Sequence, residues 1–178
     1  MKGRREPASG PLQRLDAGAR AIFPVSLTAF LAVMAAVPIG PPSLVIALAL
    51  PCVFFWSLFR PAAMPPLAVF ALGLLADLLS FQPLGVGVLL LLVTHGVAMR
   101  WRGVIARAPF LVAWLAFSAL ALGAAALGWL LQLVLTLQWP PLAPPLVLAA
   151  MMLGMYPPLA LVLSRMHMAM ARAEDALR

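Results

Sequence analysis

Residues 70–87 read FALGLLADLLSFQPLGVG, an apolar run that carries one carboxylate and ends in residues able to reverse the chain. Asp77 is the only acidic residue between Asp16 and Glu174. Because an ionised side chain in a bilayer costs several kcal/mol, an acidic residue in such a run marks a candidate functional site. The stretch predicts a tight hairpin of two membrane helices, with Asp77 near its turn.

The turn is predicted from two residues of this stretch. Pro83 lacks a backbone donor and Gly85 tolerates a positive φ, so together they end one helix and permit a tight reversal. If the chain reverses here, Asp77 lies level with about Val88 on the returning helix. His95 then lies roughly 10 Å deeper, so Asp77 and His95 are not predicted to form an acid–base pair.

The composition excludes a soluble globular domain. The chain has 178 residues, of which 65% are hydrophobic and 10% charged, and its mean hydropathy is +1.06. A soluble domain is about one quarter charged. We therefore expect an all-α polytopic membrane protein with no second, water-soluble domain. Its net charge of +7 has two possible interpretations: the protein binds nucleic acid, or its lysines and arginines lie in cytoplasmic loops of a membrane protein.

Six apolar stretches predict six transmembrane helices in a compact bundle that occupies residues 21–164. Prolines, glycines and arginines separate these stretches. Residues 1–20 are predicted to form a mobile basic tail and residues 165–178 a short polar tail, both cytoplasmic. A signal peptide is the alternative for the N-terminal segment, but no convincing cleavage site follows it. The predicted spans cover residues of about 22–39, 43–59, 66–80, 85–99, 110–137 and 146–163.

The positions of the positive charges predict the topology. If both termini are cytoplasmic, all 12 lysines and arginines fall in inside segments, and the outside loops near 38–42, 80–85 and 138–145 hold none. This asymmetry follows the positive-inside rule and argues against nucleic acid as a partner. A five-span variant, in which the third and fourth spans form a re-entrant hairpin, stays open.

The residues offer little catalytic chemistry. A Mg²⁺-dependent lipid transferase needs clustered carboxylates, whereas the apolar core offers one. No serine lies in a nucleophile motif or has a paired base. We predict that the chain is not an enzyme and holds no cofactor or metal. The residues that could ligate zinc lack any motif spacing: Cys52, Asp77, His95 and His167.

Three roles remain open for Asp77. Its carboxylate could be hydrogen-bonded to the backbone of the hairpin or to a polar neighbour such as Gln132, it could contact a membrane partner, or it could form a proton or solute site.

Charged and aromatic residues are predicted to anchor the bundle at its two membrane boundaries. Arginines at the cytoplasmic boundary also have some capacity to bind anionic lipid or a cytoplasmic protein. Tryptophans at the boundaries are typical of aromatic belts. The predicted cytoplasmic-face anchors are Trp56, Arg60, Pro61, Arg100, Trp101 and Arg102, and Trp139 is predicted at the opposite boundary.

Two segments resemble the rod shape-determining protein MreD family. Residues 73–85, GLLADLLSFQPLG, resemble the family's Gly-x-x-x-Asp-Leu-x-Ser…Leu-Gly pattern, and residues 56–61, WSLFRP, are similar to its aromatic second span ending at an Arg-Pro step. Length and six-span hydropathy are consistent with the family along the whole chain. Two features depart from it: Ser43 stands where members often carry Asp or Asn, and residues 60–66 are unusually rich in proline.

The resemblance implies a non-enzymatic scaffold of the bacterial inner membrane that acts in cell elongation and lateral peptidoglycan synthesis. The implied partners are an MreC-like bitopic protein, the MreB filament, RodA with its transpeptidase, and membrane lipids. Asp77, Gly73, Pro83 and Gly85 would then shape the hairpin or bind a partner, while Arg60 and Pro61 would fix the inner ends of the second and third spans.

The same resemblance supplies an alternative function. MreD-like proteins are thought to be similar in fold to the substrate-binding subunits of energy-coupling-factor vitamin transporters. The alternative is therefore a solute- or lipid-binding membrane subunit of a transporter, which predicts convergent polar groups near the outer face. The polar residues available there are Asp77, Gln82, Gln132, Thr136 and Gln138.

Overall fold

The computed structural model describes residues 11–36, 42–80 and 83–175. Within these ranges every regular element of secondary structure is a helix, which confirms the predicted all-α class. A single turn of 3₁₀ helix, Pro61–Ala63, connects the second and third helices. The six α-helices are α1 (Pro11–Ala35), α2 (Ser43–Phe59), α3 (Pro66–Ser80), α4 (Val86–Ile105), α5 (Phe110–Thr136) and α6 (Ala143–Asp175).

Three of these helices are long and apolar enough to cross a membrane. They are Val86–Ile105, Phe110–Thr136 and the segment Ala143–Arg172 of α6. The other described helices contribute shorter apolar segments, at Ile22–Ala35, Ser43–Phe59 and Pro66–Ser80. A helical membrane protein is the class that these lengths and compositions support.

The central helix of the bundle is α2. It packs against α1, α3, α4 and α6, and 13 of its 17 residues are buried. A helix that is apolar on every side is typically one that other helices surround. The α2 sequence has this character, and the helix runs without interruption through Pro51. α2 is therefore the element against which the others are positioned.

An aromatic cluster joins α2 to α5 and α6. The ring of Phe54 lies 5.3 Å from that of Phe117 and 6.0 Å from that of Tyr156, and Phe117 stacks on Tyr156 at 4.3 Å. All three residues are at most 2% exposed. Such ring pairs contribute roughly 0.5–1.5 kcal/mol beyond the burial of their area, so this cluster stabilises the middle of the bundle.

Several helix boundaries differ from those that hydropathy predicted, and α1 ends at Ala35 and α6 begins at Ala143 where residues 39 and 146 were expected. α1 begins at Pro11, so the part of the predicted tail that the structure describes is helical. α4 continues to Ile105 and α6 to Asp175, whereas hydropathy placed their ends near residues 99 and 163. Hydropathy marks the edge of an apolar segment, whereas arginine and alanine are good helix formers that extend a helix past that edge. The predicted bounds of α2 and α3 match closely, because proline-rich segments flank these helices.

The pair α3 and α4 forms the predicted hairpin, and its two helices approach closely at Gly73. A Cβ atom added at Gly73 would lie 2.5 Å from the Cα atom of Val88 and 2.9 Å from its backbone nitrogen. Both atoms belong to the backbone of α4, so no side-chain rotation could relieve the clash. Glycine is therefore required here by the distance between the two helices.

We predict that Gly73→Ala destabilises the protein and that Gly96→Ala does not. Moving α4 away from α3 should cost about 1–3 kcal/mol, which is typical of overpacking. Gly96 lies on α4 with no atom within 4 Å of an added Cβ, so alanine there gains helix propensity without a clash. Thermal unfolding in nanodiscs compares the two variants. Equal midpoints for both variants would show that the close approach at Gly73 is unimportant.

Candidate functional site

The Asp77 carboxylate caps the beginning of α4 from the neighbouring helix. The N–H of Gly85 donates to Oδ2 at 2.8 Å, that of Gly87 to Oδ1 at 2.6 Å, and that of Val88 to Oδ2 at 3.4 Å. N–H groups in the first turn of a helix lack intrahelical partners, and an acidic side chain is a preferred acceptor for them. The negative charge also faces the positive end of the α4 dipole. Both oxygens of this carboxylate thus accept backbone donors, and the residue is 2% exposed.

Two glycines make this capping geometry possible. Gly85 has φ +102°, in the left-handed region, where residues with a side chain are strained. At Gly87 an added Cβ would collide with Oδ1 of Asp77. Pro83 precedes them, and its carbonyl accepts the N–H of Val86 at 3.2 Å. The predicted hairpin residues Asp77, Pro83 and Gly85 therefore lie together, and Gly87 is a further residue that the site requires.

The structure decides between the predicted surroundings of Asp77. Its carboxylate accepts backbone N–H groups, as one of the three interpretations expected, and Val88 lies level with it as predicted. Its donors are backbone groups and not the Gln132 side chain, although both residues line one cavity. The roles in partner or solute binding stay predictions.

A cavity of about 120 Å³ lies beside the capped turn, where five helices converge. Ala76, Val86 and Leu90 are among its apolar lining residues. Of the polar residues predicted for a solute site, Asp77 and Gln132 line this cavity and Thr136 and Gln138 do not, while Gln82 lies outside the described residues. The polar lining side chains with oxygen atoms are Ser43, Asp77, Ser80 and Gln132.

The predicted cytoplasmic anchors separate into two groups. Arg60 ends α2, where its N–H donates to the Trp56 carbonyl at 2.8 Å, and its Nε donates to Nδ1 of His167 on α6 at 3.4 Å. Pro61 opens the 3₁₀ turn that follows. These contacts tie the end of α2 to α6, as an anchor of the inner end would.

The side chain of Trp56 faces the core of the bundle, whereas a tryptophan of an aromatic belt faces the lipid headgroups. Trp56 is completely buried, and its indole Nε1 has no hydrogen-bond partner within the described part of the chain. The reason is its position on α2, which other helices surround. Arg100 and Arg102 are exposed on the last turns of α4, and the Arg100 guanidinium lies 5.7 Å from the ring centroid of exposed Trp101. Exposed Trp139 also suits a boundary.

A buried serine–histidine pair links α2 to α4. Ser57 Oγ and His95 Nδ1 lie 2.8 Å apart, and the two residues are 0% and 7% exposed. No sequence motif connects residues 38 positions apart on separate helices. The only available signal was that each is an isolated polar residue in an apolar span. The pair satisfies two buried polar groups and holds α2 against α4.

The described residues contain no group of three or more His, Cys, Asp or Glu side chains placed to hold a metal ion. Cys52 is a free, buried cysteine of α2. It behaves as a small apolar side chain in the core.

Comparisons of the chain with protein-family models, with curated proteins and with solved structures find no match.

We predict that Asp77→Ala exposes the first turn of α4 to exchange with solvent. The substitution removes the acceptor of three N–H groups, and the loss of a helix cap costs roughly 0.5–2 kcal/mol. Hydrogen exchange of the Gly87 and Val88 amides should accelerate, while amides in the middle of α2 should not change. Asp77→Asn keeps one acceptor oxygen, so its exchange rates should lie between those of the wild type and Asp77→Ala. Unchanged exchange in Asp77→Ala would contradict the capping role.

Proposed function

We propose that the protein is a non-enzymatic membrane scaffold of the bacterial cell-elongation machinery. One observation carries the proposal: three residues that match the MreD-like pattern have distinct roles in one structural unit. Gly73 permits the close approach of two helices, Asp77 caps the second helix, and Gly85 adopts the left-handed turn. The proposal is supported because these matching residues are the ones that the hairpin geometry requires.

The proposed topology has six membrane spans with both termini in the cytoplasm of the bacterial inner membrane. Its support is the separation of charge between the two ends of the bundle. Arg60 contacts His167, so the ends of α2 and α6 lie together. The beginnings of these two helices line the cavity at the other end, where no lysine or arginine is found among the lining residues. A positive inner end and an uncharged outer end are what the positive-inside rule requires.

The proposed partner contact is the outward face of α5. Only five of the 27 residues of α5 are buried, so most of this helix is available to lipid or to another helix. Ala119 and Gly123 lie one turn apart on the exposed side, and an added Cβ at Gly123 meets no atom within 4 Å. Small residues at this spacing let a second helix approach closely. We propose that the transmembrane helix of an MreC-like protein packs here, with MreB, RodA and its transpeptidase joining the assembly.

The cavity beside Asp77 favours a second candidate, a solute- or lipid-binding subunit of a transporter. Such a subunit needs a concave site with a few convergent polar groups, and this cavity combines apolar walls with the side chains of Asp77, Ser80 and Gln132. This second candidate would also imply a fold similar to that of the substrate-binding subunits of vitamin transporters.

Affinity purification of the tagged protein from solubilised native membranes tests the scaffold proposal. We expect mass spectrometry to recover an MreC-like bitopic protein together with other elongation proteins. Gly123→Leu should reduce that recovery at least severalfold, because a bulky side chain separates closely packed helices. Gly96→Leu is the matched control, since Gly96 is also an exposed helical glycine with open space around it. Recovery of ATPase subunits and a coupling membrane protein would instead support the transporter.

A further inference from the structure

We propose that the cavity beside Asp77 binds a small uncharged molecule that has an apolar body and one hydroxyl-type hydrogen-bond donor. The proposal identifies the class of ligand that the transporter candidate leaves open. It is compatible with the scaffold role and does not depend on it.

The cavity is framed by the ends of five helices. α2, α4 and α6 begin at the cavity, while α3 and α5 approach it with their C-terminal halves. Around it the neighbouring helices pack in the order α2, α6, α5, α4 and α3, and α3 packs against α2. Each neighbouring pair in this ring is in contact, and three of the helices begin at the cavity, so we expect a ligand to enter at this end of the bundle. That end is opposite the one where Arg60 and His167 meet.

The electrostatics of the lining select an uncharged ligand. Among the described residues that line the cavity, Asp77 is the only one with an acidic or basic side chain. An anion would meet this carboxylate with no lysine or arginine in the lining to offset the repulsion. A cation would have to compete with the three backbone N–H groups that already occupy both carboxylate oxygens, and the end of the α4 dipole opposes it.

The wall formed by α3 calls for a donor on the ligand. The Ser80 hydroxyl donates its hydrogen to the carbonyl of Ala76 at 2.5 Å, so its remaining capacity is to accept. Asp77 also accepts only. Gln132, on the α5 side of the cavity, forms no side-chain hydrogen bond with the described residues. Its amide N–H can donate to the hydroxyl oxygen of the ligand, while the ligand hydroxyl donates its hydrogen to Asp77 or Ser80 on α3.

The volume of the cavity limits the ligand to about the size of one ring. It measures about 120 Å³, and an engineered apolar cavity of about 150 Å³ is known to hold benzene. A phospholipid or a vitamin of several rings would exceed it. A single-ring aromatic or alicyclic alcohol matches the lack of charge and the need for a donor. Because the cavity is smaller than the one that holds benzene, part of this ligand would extend beyond the enclosed space toward the end of the bundle.

Fluorine NMR of the purified full chain in nanodiscs tests the proposal with four probes of one shape. The probes are 4-fluorobenzyl alcohol, 4-fluorobenzylamine as its ammonium cation, 4-fluorobenzoate and 4-fluorotoluene. We expect saturable binding of the alcohol above the linear partitioning measured with empty nanodiscs. The fluorotoluene should bind about fivefold more weakly, which is typical for the loss of one hydrogen bond. The two ions should show no saturable binding.

Two variants locate the binding in the cavity. Gly128→Leu fills the cavity from α5 and should abolish saturable binding of the alcohol, whereas Gly96→Leu on the outward side of α4 should leave it unchanged. If Gly128→Leu does not fold, Ser80→Ala serves instead. This variant should bind the alcohol about fivefold more weakly and should bind the fluorotoluene as tightly as the wild type does.

Three results would overturn the proposal. They are the absence of saturable binding by the alcohol, tighter binding of the ammonium probe than of the alcohol, and equal losses in Gly128→Leu and Gly96→Leu. None of them would alter the set of proteins recovered by affinity purification, so failure of this proposal is distinguishable from failure of the scaffold or of the transporter.

Discussion

The structure depends on a reciprocal requirement between a carboxylate and the beginning of a helix. The buried carboxyl group of Asp77 needs hydrogen-bond partners, and the buried first turn of α4 needs an acceptor for its free N–H groups. Each would be costly alone. Together they satisfy each other at the turn that joins their two helices, so the residue that looks most out of place in the sequence becomes the one that closes the hairpin.

Closing the hairpin has consequences for the rest of the bundle. The capping distances require α3 and α4 to be close, and Gly73 and Gly87 supply the space by having no side chain. Once α4 is held in this position, its inner side packs against α2, where His95 meets Ser57. α4 is thus held by two sets of polar contacts at different depths, one to Asp77 on α3 and one to Ser57 on α2.

The sequence was most informative where local chemistry decides the structure. Proline-rich segments around α2 and α3 predicted their limits, and Gly85 predicted the turn. Apart from the ends of α1, α4 and α6, which local helix propensity extends, the failures concern properties that depend on neighbouring helices. Trp56 next to Arg60 has the pattern of a boundary residue, yet only the packing of other helices around α2 makes it a core residue. The contact of Ser57 with His95 likewise requires knowing which helices meet, and no spacing rule contains that information.

The two ends of the bundle have different chemistry, and this difference bears on how both proposed activities could coexist. The end at which Arg60 meets His167 carries exposed arginines, and helices there continue beyond the apolar segments. The other end contains the capped turn and the cavity. The outward face of α5 extends between them. Because α5 supplies both Gly123 on that face and Gln132 at the cavity, a helix packed on the former and a ligand bound at the latter would contact one rigid element. A partner helix that shifted α5 would therefore change the cavity, and by thermodynamic linkage a ligand in the cavity would change the affinity for the partner equally.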